Sequence, residues 1–135
     1  MQEKSCGAII FRYKRGKLEF LLVKQKSMNW GFAKGHVIRG ESETQTALRE
    51  IKEETNLDVD LLKGFRESGY FYMKRTKKQV VFFLARARPD QVVTPQAVEI
   101  LDYCWVDFDK ANELLKFHNV KMMLERAYMY ILKNE

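Results

Sequence analysis

One segment constrains this chain more than any other. Gly35-His36-Val37-Ile38-Arg39-Gly40-Glu41 runs into Ser42-Glu43-Thr44-Gln45 and on to Arg49-Glu50-Ile51-Lys52-Glu53-Glu54. A glycine-rich loop that feeds straight into a helix brings backbone groups close to a ligand. Ser42 and Gln45 have the spacing of a capping box, in which the two residues satisfy each other's free backbone donors. Ala47, Leu48, Ile51 and Thr55 then recur at helical spacing as a buried stripe. Residues three and four apart are neighbours on a helix, so Glu50, Glu53 and Glu54 project from one side. Carboxylates crowded in this way repel one another unless a cation neutralises them. Hard oxygen ligands suit Mg²⁺, with Mn²⁺ as the alternative, and not zinc. A solvated acidic face is the ordinary explanation for a charge run, but two features oppose it here. Lys52, the one cation among residues 50–54, points away from the acidic side, and the glycine loop leads directly into the helix.

The rest of the chain reads as strands with helices interspersed. Residues 6–13 and 18–24 are strand-like, separated by a Lys14-Arg15-Gly16-Lys17 turn. Residues 27–41 read as irregular. After the helix, strand patterns return at 57–62, 65–72, 80–87 and 103–106, with a basic hairpin tip at 73–79. Asp107 or Asp109 can cap a short helix through Leu115. Asn119 can cap the last helix, where Val120, Met123, Leu124, Ala127, Tyr128 and Ile131 form a sustained apolar stripe. This order predicts an α/β fold, a mixed β-sheet covered on both faces. At 135 residues without linker, repeat or low-complexity stretch, one domain over residues 1–135 is expected.

Composition excludes more than it identifies. No apolar run approaches the roughly 20 residues that cross a bilayer, and residues 1–5 lack the layout of a signal peptide, so no membrane association is expected. Cys6 and Cys104 have no metal-ligand spacing. Each sits in an apolar run as a buried free thiol, which points to a reducing, cytoplasmic setting. The net charge of +6 is compatible with polyanionic partners and equally with a plain soluble surface.

The Gly35 segment closely resembles the Nudix box of the Nudix hydrolases. That pattern runs Gly, five residues, Glu, seven residues, Arg-Glu-apolar, one residue, Glu-Glu, one residue, Gly, apolar. Gly35, Glu41, Arg49, Glu50, Ile51, Glu53, Glu54 and Leu57 match in register; Asn56 replaces the closing glycine, a mild departure because Asn tolerates the left-handed conformation. The resemblance implies a Nudix-type α/β/α sandwich that attacks a phosphoanhydride with metal-activated water. It implies Glu50, Glu53 and Glu54 as metal ligands, with the Gly35 carbonyl a further candidate, and Arg49 as the group that orients carboxylates such as Glu41. A nearby carboxylate takes the proton. Glu54 is the first candidate and Glu99 the second, since family members often carry a further acidic residue, able to serve the metal too, on a loop outside the box.

Substrate choice lies outside the box. Trp30-Gly31-Phe32-Ala33-Lys34-Gly35-His36 is similar to the Trp-x-x-Pro-Lys-Gly-His segment of asymmetrical diadenosine tetraphosphatases, with Ala33 departing from the proline. The stretches at 64–67 and 81–85 are similar to the same group. The resemblance implies Lys34 and His36 on the polyphosphate and Tyr70 or Tyr72 stacked on an adenine, with Lys77 or Lys78 nearby. Lys74, Arg75, Lys77 and Lys78 otherwise form a wet hairpin tip, and His118 reads as structural. The implied reaction is hydrolysis of diadenosine tetraphosphate to ATP and AMP. The rival enzymes are an RNA 5′-pyrophosphohydrolase, which would make an RNA 5′ end the partner, and a nucleoside triphosphate pyrophosphatase. A non-catalytic nucleotide sensor typically loses box carboxylates, and this chain keeps them.

Overall fold

In a computed structural model, which describes residues 2–135, the elements in chain order are β1 (Gln2–Lys14), β2 (Lys17–Gln25), β3 (Trp30–Gly31), β4 (Lys34–His36), α1 (Glu43–Thr55), β5 (Val59–Met73), β6 (Thr76–Ala87), β7 (Ile100–Val106), α2 (Phe108–Leu114) and α3 (His118–Asn134). The central path of the sheet is β3-β2-β1-β6-β5, with β4 added to β1 and β7 to β2. β1 and β6 run parallel, with Cys6 opposite Val81, and the other pairings are antiparallel. The sheet is therefore mixed, as expected.

Both faces of the central strands are buried, which is why residues 80–85 form an unbroken apolar run without polar alternation. Cys6, Ala8, Ile10, Val81, Phe83 and Ala85 pack on one face with Ala47 and Ile51 of α1. Ile9, Phe11, Phe20, Val80, Phe82 and Leu84 pack on the other with Ala111 of α2 and Met123, Leu124, Ala127 and Ile131 of α3. The result is a sheet between one helix and two, the α/β/α arrangement. Among the described residues no helix is long and apolar enough to cross a membrane.

The structure departs from the sequence reading in several places. Leu48 is 42% exposed and lies off the buried stripe of α1. Cys104 is half-buried and not buried, and the basic hairpin tip is confined to Lys74 and Arg75. The segment at 27–41 is not wholly irregular, because Gly35 pairs with Cys6 and Trp30 with Lys24 to form β4 and β3. The two strands expected at 57–62 and 65–72 are one strand, β5, with a register shift between Leu61 and Arg66 and Gly64 at φ 92°. Asn119 does not cap α3: the helix starts two residues earlier than that cap implies, behind Phe117, and the Asn119 carboxamide accepts from the Val120 N–H at 3.1 Å. Of the two candidate caps of α2, Asp107 is the one used, accepting from the Lys110 N–H as expected.

Candidate active site

The segment from Gly35 to Asn56 is fixed at both ends by its own chemistry. The Gln45 N–H donates to Ser42 Oγ at 3.2 Å and the Ser42 N–H to Gln45 Oε1 at 2.9 Å, completing the capping box. Asn56 ends α1 at φ 63°, ψ 14°, and its N–H donates to Lys52 O. It thus does the work of the glycine that the box pattern places there.

At Gly35 the backbone lies directly against the carboxylate of Glu50. A Cβ there would fall on the carboxyl carbon and both of its oxygens, so only glycine allows this approach. Glu50 and Glu54, one turn apart on α1, are both buried, at 8% and 3% exposure. Glu50 Oε2 and Glu54 Oε1 have no hydrogen-bond partner. A buried polar oxygen left unpaired costs free energy, and an ionised one costs more. Burial, then the Glu50 charge, push Glu54 up to about 8, against the opposing pull of the Lys34 backbone and ammonium. Burial also raises Glu50, with Arg49 opposing it. Two orphaned carboxylate oxygens beside an accessible glycine backbone form a donor set that fits a hard divalent cation.

Glu53 is placed differently. Its side chain is half exposed and accepts from Arg49 Nη1 at 3.2 and 3.3 Å. Among the described residues, no three His, Cys, Asp or Glu side chains converge as a ready cluster, because Glu53 is taken up by this guanidinium. Arg49 also donates from Nε to Glu41 Oε2 at 2.6 Å, from Nη2 to Glu41 Oε1 at 3.0 Å, and from Nη2 to the His36 carbonyl at 3.0 Å. Glu41 accepts further from the Ile38 N–H and the Thr46 hydroxyl. Arg49, the Ile38 N–H and Thr46 together hold its carboxyl at about 2. Thr46 did not stand out in the sequence; its only signal is that a polar residue sits beside Ala47 on the buried stripe.

Glu99 is exposed on the segment between β6 and β7. Its charge acts on both Glu50 and Glu54. The segment is tied to the end of α1, with the Thr94 N–H donating to Thr55 O at 2.9 Å and the Gln96 N–H to Glu54 O at 3.1 Å. The Glu99 loop is therefore tethered through its backbone to the last turn of α1.

The cations and aromatics singled out from the sequence fall on two faces of the sheet. Lys34 pairs in register with Gly7, between Cys6 and Ala8 of the α1 face, and so looks toward the α3 face. Lys78, two residues before Val80, shares that face; burial first, then Lys78, lower the Lys34 pKa, against the opposing charges of Glu54 and Glu50. Tyr70 and Tyr72 follow Arg66 at even spacing and lie on the α1 face, opposite Gln79 and Lys77. Neither tyrosine is core: they are 45% and 75% exposed. Lys77 Nζ stands 4.4 Å over the Tyr70 ring. Lys77 and Lys78, interchangeable in the sequence, thus serve opposite faces. His36 is exposed and sits 3.7 Å from the Glu3 carboxylate. His118 opens α3, away from the box.

With this geometry in hand, comparison with known proteins gives a consistent picture. The NUDIX domain family matches residues 1–125. The bis(5′-nucleosyl)-tetraphosphatase [asymmetrical] of Sus scrofa is 32% identical over 97% of both chains. The enzyme of the same name from Caenorhabditis elegans is 31% identical, covering 97% of this chain and 98% of its own. A crystal structure of a C. elegans Ap4A hydrolase binary complex superposes with a TM-score of 0.90 at 28% identity, over 98% of this chain and 99% of that one.

Proposed function

Because this chain belongs to the Nudix hydrolases, enzymes that act on phosphoanhydride bonds, we propose that it cleaves diadenosine tetraphosphate to ATP and AMP with Mg²⁺. The observation that carries this reading is the orphaned pair of buried carboxylate oxygens on Glu50 and Glu54 beside the Gly35 backbone. The similarity to the two tetraphosphatases supports the choice of substrate.

Glu50 and Glu54 would hold the cation, with the Gly35 carbonyl, Glu53 and Glu99 as further candidate donors. A bound divalent ion supplies charge neutralisation for the polyphosphate and lowers the pKa of water at the site. Glu54 takes the proton as the water oxygen bonds to phosphorus and the bridging P–O bond breaks, the electron pair leaving with the departing phosphate. Glu99, on the loop tied to α1, is the second candidate for that proton. Arg49 touches no substrate atom; it keeps Glu41, Glu53 and the His36 carbonyl in one arrangement. Lys34 and Lys78 face the phosphates from the α3 side, with His36 at the rim. Tyr70 and Tyr72 offer rings to a base on the α1 side, with Lys77 beside them.

The basic hairpin and exposed tyrosines also suit an RNA 5′ end. Comparing kcat/KM on diadenosine tetraphosphate with that on triphosphorylated RNA and nucleoside triphosphates separates the readings. A preference of tenfold or more for the dinucleotide is expected, whereas faster turnover of RNA or triphosphates would transfer the mechanism to that substrate.

A further inference from the structure

Glu43 occupies one of the seven positions that the box pattern leaves open between Glu41 and Arg49. It is the first residue of α1, and its carboxylate is tied to two strands of the sheet. Arg66 of β5 grips it with a fork, Nε to Oε1 at 2.8 Å and Nη2 to Oε2 at 2.9 Å. Lys4 of β1 closes on Oε2 at 2.6 Å. Arg66 first, then Lys4, hold the Glu43 carboxyl at about 2, so it is ionised throughout the working range.

Two independent features show that this contact is built into the fold. The first is helical position. Glu43, Ala47, Glu50 and Glu54 recur four, three and four residues apart on α1, a single stripe facing the sheet. A shift or rotation of the helix start is therefore carried directly to the two buried carboxylates. The second is the β5 irregularity. Between the Leu61–Ala85 and Arg66–Phe83 pairs, β5 takes five steps where β6 takes two. An odd surplus reverses which side chains face which way. Leu61 and Arg66 consequently both look toward α1, and Arg66 reaches Glu43 because of that surplus.

We propose that Glu43, clamped by Arg66 and Lys4, is a positioning residue that sets where α1 presents Glu50 and Glu54, and so tunes the cation affinity of the site. The proposal rests on the reading of Glu50 and Glu54 as cation ligands. The far end of α1 is anchored by backbone bonds from Thr94 and Gln96, whereas its first turn is held to β1 and β5 by these side chains. Partly exposed ion pairs contribute little to stability on their own unless they are bidentate or form a network, and this contact is both. An outer contact that orients ligands characteristically changes metal affinity by about 10–100-fold when removed.

The test is a Mn²⁺ titration of the intact chain without substrate, read by the loss of the free-ion electron paramagnetic resonance signal. It compares wild type, Glu43→Gln, Arg66→Lys, Arg66→Gln and the Glu43→Gln/Arg66→Gln double variant, with circular dichroism melts on each. Glu43→Gln is expected to raise the Mn²⁺ Kd about tenfold. Arg66→Lys, which keeps the charge and loses the fork, should fall between it and wild type, and the double variant should be no weaker than the worse single one. Arg66→Lys carries the test if Glu43→Gln does not fold. A merely structural ion cluster would lower Tm and leave the Kd of the folded protein within twofold of wild type, and that result overturns the proposal. Wild type that binds no Mn²⁺ would instead remove the cation site itself and this proposal with it.

Discussion

The α1 segment and the β5–β6 hairpin carry the two halves of the proposed chemistry, and they are built in different ways. In the first, polar groups are committed to partners within the segment, apart from the orphaned oxygens of Glu50 and Glu54. Both helix ends are capped, Arg49 binds two carboxylates and a carbonyl, and the Glu99 loop is tied to the last turn by backbone bonds. In the second, Lys74 and Arg75 sit at φ 44° and 68° in the turn. Tyr72 is three-quarters exposed. Nearer its tip, the side-chain ties include a Gln79–Ser68 hydrogen bond at 3.0 Å and the Lys77–Tyr70 contact, whereas Arg66 and Glu67, toward its base, are held by Glu43 and Arg126. Groups that must stabilise a transition state benefit from being fixed in advance. Groups that recognise a base by stacking tolerate freedom, at the cost of ordering on binding. The difference teaches that changes in the first region should strike kcat, and those in the second KM.

The strongest way to break this division is Glu54→Gln, which keeps shape and removes the proton acceptor. It should lower kcat by about 10²–10⁴-fold with the fold intact, measured by steady-state kinetics alongside circular dichroism. Full activity would mean that the buried carboxylates are not the reacting centre. Arg49→Lys comes next. It keeps the charge but cannot serve Glu41, Glu53 and the His36 carbonyl together, and a loss of about 10–100-fold in kcat/KM is expected. On the hairpin, Tyr72→Ala should raise KM roughly tenfold with little change in kcat, in line with about 1–3 kcal/mol per stacked base. Its melting temperature should stay within a few degrees of wild type. A fall in kcat with unchanged KM would erase the distinction between the regions.

The smallest effect is on stability. Glu54 has its folded pKa raised from 4.5 to about 8, so the folded protein holds a proton that the unfolded chain releases. Its stabilising contribution is complete below pH 4.5 and is lost as pH rises through about 8. In chelator, the wild-type melting temperature should fall across that window more than that of Glu54→Gln. Parallel curves would show that Glu54 is ionised without metal.

Sequence and structure agree best where local rules suffice. The capping box, the left-handed Asn56 and the burial of Ala47 and Ile51 all follow from short-range spacing, whereas the pairing of Arg49 with Glu41 is implied by the resemblance to the Nudix box. Long-range pairing decided the rest. β4 exists because Gly35 meets Cys6 in β1, and no periodicity within residues 27–41 signals that partner. The unity of β5 depends on an irregularity placed opposite β6. For the same reason Lys77 and Lys78 look equivalent in sequence, although the pleat sends them to opposite faces. The fork between Glu43 and Arg66, 23 residues apart, was illegible too, since the face that Arg66 takes depends on that irregularity.

The most direct test of the central claim is to incubate the wild-type protein with diadenosine tetraphosphate in Mg²⁺ and in chelator, and to separate the products by chromatography. ATP and AMP in equal amounts, formed with Mg²⁺ and abolished by chelator, are the predicted result. Two molecules of ADP, equal turnover in chelator, or no cleavage in Mg²⁺ would contradict it.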